Sequence, residues 1–187
     1  MNFRPPLRFL GRITLLLAAT ELAPALCSVF YREWSAAVAF LLSAAITAAG
    51  GLLLIWLGRG GGHIYRREGI LIVVGGWVLA SFFGALPYLL TGTFSAPMDA
   101  LFESASGFTT TGASVMTEIE GFGRGILFWR SFTQWLGGMG IIVLFVALLP
   151  ELGPGARFIY KLGCRDRPRR RSSPGSTTPL RSSGSST

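Results

Sequence analysis

Half of the 187 residues are hydrophobic and only 14% are charged, with a mean hydropathy of +0.52, a balance that excludes an ordinary soluble domain and points to a bilayer. The formal charge of +8 does not point to nucleic acid, because the basic residues lie between or beyond apolar runs rather than among exposed aromatics. Cys27 in an apolar stretch and Cys164 in a basic tail offer neither a disulfide framework nor a paired-cysteine metal site, and the sole histidine, His63, reads as part of a Gly-rich loop.

A bilayer core of about 30 Å needs roughly 20 apolar helical residues. In chain order, the first candidate is Phe9–Phe30, weakened by Arg12, Glu21 and Pro24. Arg4, Arg8 and Arg12 ahead of Ile13–Ala19 also fit a cleaved leader, but Leu26 stands before Cys27 where a lipoprotein site wants a small residue. A retained helix fits better, with Pro24 as a kink and Glu21 facing protein or reaching towards an interface. Three uncharged runs follow: Ser35–Leu57, Gly69–Met98 and Ser131–Pro150. Trp34 and Trp129 fall near the expected interfaces, as anchors do.

The basic residues set an orientation. Arg4, Arg8 and Arg12 precede the first span, Arg59, Arg66 and Arg67 lie between the second and third, and Arg157 and Lys161 follow the last. The other loops carry only Arg32 and Arg124, with Glu33, Asp99, Glu118 and Glu120. Four spans with both termini cytoplasmic put every dense basic cluster on one side.

Thr91–Arg124 is too apolar for a simple loop and too broken for a crossing, so it reads as re-entrant. Pro97 at an early helical position and Asp99 in the first turn mark a helix start. The spacing predicts a helix from about Pro97 to Ser106, ended by Gly107, and then extended backbone through the β-branched run Thr109, Thr110 and Thr111. A short helix, a Thr-rich run and a glycine between two spans form the layout that selects potassium in channels, where backbone carbonyls replace the ion's water shell. The run is Thr109–Ala113, with Gly112 at backbone angles a side chain resists, and potassium would be held through Thr110, Thr111 and Gly112. The plain alternative is an external loop with helical propensity.

Arg130 is costly inside a span unless paired or snorkelled. Pairing with Glu103, which would brace the filter, and snorkelling to the outer surface both fit. Gly137-Gly138-Met139-Gly140 fits close helix packing better than a hinge or gate. After Leu162 the chain turns Arg-rich and then Ser-, Gly-, Thr- and Pro-rich to Thr187, the composition of disorder. Its arginines suit anionic lipid. No GxxxxGK[ST], HExxH or GxSxG signature occurs, so neither an enzyme nor a cofactor is expected.

Leu101–Ser114 resembles the first pore loop of TrkH-type members of the Trk/Ktr/HKT potassium transporter superfamily. Trp129–Gly140 resembles the helix after it, and Gly84–Tyr88 the end of the helix before it. The resemblance covers about Arg66–Leu152, and the two earlier helices match the family's additional N-terminal pair. It implies an all-α membrane protein with about four transmembrane helices, one re-entrant pore helix and a filter loop. The parts would be an N-terminal helix pair (1–62), a first helix–pore loop–helix repeat (63–152) and a tail (153–187). It also implies potassium uptake at a bacterial cytoplasmic membrane, coupled or not to a second cation, with filter residues Thr109, Thr110, Thr111, Gly112 and Ala113 supported by Glu103 and Arg130. The implied partners are the potassium ion, the lipid bilayer, the remaining pore repeats or a full-length transporter, a homodimer mate and a TrkA-type nucleotide-binding regulatory subunit. Only the first of the family's four repeats is present, so a truncated or frameshifted chain that associates with a full-length transporter without conducting is the alternative.

Overall fold

The computed structural model describes residues 4–59, 66–117, 119 and 121–148. His63, Glu118, Glu120 and everything from Leu149 on, including Arg157, Lys161 and Cys164, lie outside the described residues. Among the described residues the chain is helical, with no strand. The helices are α1 (Arg4–Thr20), α2 (Leu22–Phe30), α3 (Trp34–Leu57), α4 (Arg66–Gly84), α5 (Leu86–Leu90), α6 (Pro97–Phe108) and α7 (Arg124–Leu148).

Three helical stretches, Arg4–Phe30, Trp34–Leu57 and Glu68–Leu90, are long and apolar enough to cross a membrane. The first is one span interrupted at Glu21. Pro24 has no N–H to donate and its ring crowds the carbonyl four residues earlier, so the kink expected at Pro24 surfaces one turn upstream. Glu21 itself faces protein, fully buried. The third stretch breaks at Ala85, ahead of Pro87, for the same reason. It ends at Leu90, eight residues short of the end of the uncharged run, where Thr91 Oγ1 donates to the Pro87 carbonyl at 2.7 Å. Gly92 then turns the chain at φ 71°. Absence of charge therefore overestimates the span. The expected run Ser131–Pro150 falls in α7 and just beyond it, and α7 begins earlier, at Arg124.

Small residues let the first helices touch. A Cβ on Gly11 would lie 2.6 Å from the Gly51 carbonyl oxygen, and one on Gly58 would lie 2.8 Å from the Arg4 carbonyl oxygen, so α1 and α3 run antiparallel in close contact. The Arg4–Arg8 segment thus shares one end of the bundle with Gly58 and Arg59.

The core gathers around Trp129, which is fully buried with Phe40, Tyr88 and Ala100. Phe40 and Phe108 present ring edges to it at centroid distances of 6.4 and 6.3 Å, the T-shaped geometry that aromatic quadrupoles favour. Its indole N–H donates to the Gly84 carbonyl at 3.1 Å, beside the α4–α5 break. Trp129 is therefore not an interfacial anchor. A tryptophan near an expected interface and one at a helix crossing carry the same local signal, and packing of α7 against α3, α4 and α6 decides between them. Trp34, by contrast, is 65% exposed.

Candidate functional site

The candidate site is the non-helical run after α6. Ala96 is extended and Pro97 opens the helix, where a missing N–H costs nothing, and Asp99 lies in the first turn. The helix passes through Gly107 and ends at Phe108, two residues beyond the expected Ser106. Gly107 is a packing position rather than a stop: a Cβ there would collide with Thr133 Oγ1.

The turn out of α6 is tied to its last carbonyls. Thr110 N–H donates to Gly107 at 3.0 Å and Thr111 N–H to Ser106 at 3.0 Å. Thr109 Oγ1 bonds the Ala105 carbonyl at 2.7 Å and lies 2.8 Å from Thr111 Oγ1. Gly112 takes φ 77°, the left-handed angle expected of it, and Thr110 takes φ 57°, which the sequence does not announce because β-branched residues rarely go there. With Thr109 at φ −87°, left-handed residues alternate with others from Thr109 to Gly112. Such alternation turns successive peptide units the same way, gathering N–H groups on one side. Here the N–H groups of Thr110 and Thr111 are the ones turned back to α6.

Thr109, Thr110, Thr111, Gly112 and Ala113 are all exposed and contiguous. Ala113 differs from the others, because its carbonyl accepts a 2.5 Å bond from Ser106 Oγ. The Phe108 carbonyl is likewise occupied, by the Trp77 indole N–H at 3.1 Å. Helix α7 closes against the run: a Cβ on Gly137 would collide with the Phe108 carbonyl, and Gly112 and Gly138 approach Gln134 and Thr110 at the edge of contact. Gly137 thus serves close packing, as the Gly-Gly-Met-Gly segment suggested.

Glu103 and Arg130 do pair. Arg130 Nε donates to Glu103 Oε1 at 2.7 Å, with the Glu103 side chain 2% exposed. The same carboxylate accepts the Ser114 hydroxyl, at 3.1 Å to Oε1 and 3.0 Å to Oε2, and the Val115 N–H at 3.0 Å. Ser114 Oγ in turn accepts the Met116 N–H at 3.1 Å. A buried carboxylate is stable only when its charge and lone pairs are met, and these contacts meet them. The network ties α6, α7 and the chain just beyond the glycine together. Ser106, Ser114 and Trp77 belong to this framework, and no spacing rule points to them, since each reaches a partner distant in sequence or on another element.

Comparison with known proteins gives the family. A family model described as TrkH, cation transport protein, matches residues 36–173, so the likeness runs past Leu152 and past the compositional change at Leu162. The chain is 41% identical over 165 residues to the Trk system potassium uptake protein TrkH of Halomonas elongata, covering 86% of this chain and 34% of that protein. It is 40% identical over 163 residues to TrkH of Escherichia coli K12, with the same coverage. An uncharacterized cation transporter of Methanocaldococcus jannaschii is 33% identical over 154 residues, covering 82% of this chain and 32% of that protein. The chain thus spans about a third of the length of the curated relatives it matches. With a match over well more than half of its residues and apolar helices of membrane-crossing length, the chain is a membrane protein that belongs to the TrkH family of cation transport proteins.

Proposed function

We propose that the chain contributes one part of a potassium uptake pore, with α6 as the re-entrant pore helix and Thr109–Ala113 as its share of the selectivity filter. The observation that carries this reading is the alternating backbone from Thr109 to Gly112 at the C-terminal end of α6. Turning the N–H groups back to the helix leaves the carbonyls of Thr109, Thr110, Thr111 and Gly112 for a cation, and the partly negative helix end favours that cation. Ala113, whose carbonyl is shared with Ser106, is the weakest ligand of the five. Glu103 and Arg130 brace the run from behind. The activity is passage of an ion, not catalysis.

In this reading α7 is the fourth span, both termini and the Arg59–Arg67 loop face the cytoplasm, and the membrane is the bacterial inner one. A C-terminal reporter fused at Ala156 is then active only in the cytoplasm; activity only outside would end the four-span arrangement. The filter wall is completed by further repeats in the homologous arrangement, and a homodimer and a TrkA-type regulatory subunit are the expected company.

The exposed run supports a second reading. Irregular backbone in hydrocarbon must be enclosed by protein or water, because each unmet polar group costs several kcal/mol, and Thr109–Ser114 are exposed in this chain. The 187 residues alone then do not conduct, and associate with a longer transporter. Complementation of a strain lacking potassium uptake tests both readings. The chain extended with its genomic downstream sequence restores growth at low potassium, and the chain alone does not. Failure of the extended chain overturns the pore assignment, and rescue by the short chain overturns the need for a completing wall.

A further inference from the structure

The corner between α2 and α3 reaches the start of α7. Glu33 Oε1 accepts the Arg124 N–H at 2.8 Å and Oε2 accepts the Gly125 N–H at 3.2 Å, across 91 and 92 residues of sequence. The first N–H groups of a helix have no carbonyl of their own to meet, and a carboxylate there also faces the positive end of the helix dipole. Two glycines shape the seat. A Cβ on Gly123 would lie 2.8 Å from Glu33 Oε2, and one on Gly125 would collide with Ser28 Oγ and lie 3.3 Å from the Phe40 ring. The corner is itself held to one shape: Glu33 N–H donates to the Ser28 carbonyl at 2.8 Å, and Arg32 sits at φ 61°, where non-glycine residues are rare.

Ile126, Trp129 and Arg130 follow within two turns of that seat, the first two buried in the core and the third on Glu103. We propose that Glu33 is a positioning residue: by seating the N-terminus of α7, it sets where Arg130 meets Glu103, and through that pair it holds the Ser114–Met116 backbone. The N-terminal helices are thereby part of the mechanical frame of the run rather than a separate membrane anchor. Its meaning for transport rests on the pore reading, whereas the contact chain itself does not.

The test is amide hydrogen exchange, resolved to single residues, on the full 187-residue chain in lipid nanodiscs. Glu33→Ala accelerates exchange about tenfold, the scale of a lost helix cap, both at Arg124 and Gly125 and at Val115 and Met116. Glu33→Gln, which keeps one acceptor, shows a smaller rise at the same four amides. Arg124→Gln changes none of them, because the bonds use backbone N–H groups and not the guanidinium. In an Arg130→Gln background, adding Glu33→Ala still frees Arg124 and Gly125 but adds nothing at Val115 and Met116, as expected when the effect passes through Arg130. Gly123→Ala, whose Cβ would lie 2.8 Å from Glu33 Oε2, pushes on the carboxylate while leaving it in the chain; it gives a smaller rise at the same four amides and serves if Glu33→Ala does not fold. A rise confined to Arg124 and Gly125, or a further rise at Val115 and Met116 in the Arg130→Gln background, overturns the proposal. Since no transport is read, loss of the pore assignment in the complementation assay leaves this result standing, and the reverse also holds.

Discussion

Two buried glutamates lie in opposite situations. Glu103 meets a guanidinium, a hydroxyl and a backbone N–H. Glu21, at the interruption between α1 and α2, has the Thr47 hydroxyl on Oε1 at 3.1 Å, and its Oε2 has no hydrogen-bond partner among the described residues. Glu103 holds irregular backbone in place, while the Thr47 bond on Glu21 comes from a side chain, on α3. A buried carboxylate is thus structurally expensive everywhere, but removing it is expensive only where other groups depend on it.

The most damaging way to probe that contrast is Glu103→Ala. It strands the Arg130 charge and the Val115 N–H together, and the expected loss is about 3–5 kcal/mol of stability, read as a lowered unfolding temperature in nanodiscs, with uptake abolished in the extended chain. An equal loss from Glu21→Ala would erase the distinction. Arg130→Gln comes next, since Ser114 and Val115 still hold the carboxylate. We expect a smaller destabilisation and a changed potassium-to-sodium preference.

Gly112→Ser sharpens the comparison from the side of the run. A side chain at φ 77° costs about 1–2 kcal/mol, and a modest stability change should accompany weaker potassium affinity or admitted sodium, measured by competitive uptake. Unchanged uptake and preference would remove Gly112 from the site. Thr110→Val and Thr111→Val delete hydroxyls while keeping the branched shape, and each should cost no more than about 0.5–1.5 kcal/mol with potassium preference retained. The smallest effect is expected of Glu21→Gln, which keeps the acceptor for Thr47. A shift in unfolding temperature comparable to that of Glu103→Ala would show that Glu21 has dependents of its own.

The Pro24 interruption, the start of α6 at Pro97, the left-handed Gly112 and, as one of two fates open to Arg130, its pairing with Glu103 were legible in the sequence. Proline and glycine act on their own backbone, and a lone arginine in an apolar stretch must either pair or snorkel. Less legible were the helix continuing through Gly107, the left-handed Thr110 and the buried place of Trp129. Each is an override of local preference by packing: Thr133 against Gly107, the returned N–H bonds around Thr110, and three helices around Trp129.

The sequence by itself determined the break near Pro24, the helix start at Pro97 and which stretches suit a bilayer, because length, charge and backbone satisfaction are properties of a segment. The tertiary structure alone decided that Ser106 takes the Ala113 carbonyl, that Ser114 joins Glu103, and that Glu33 caps α7 from 91 residues away. Those pairings depend on helices crossing at particular points, and a hydrogen bond reaching only about 3 Å cannot be assigned until the crossing is known.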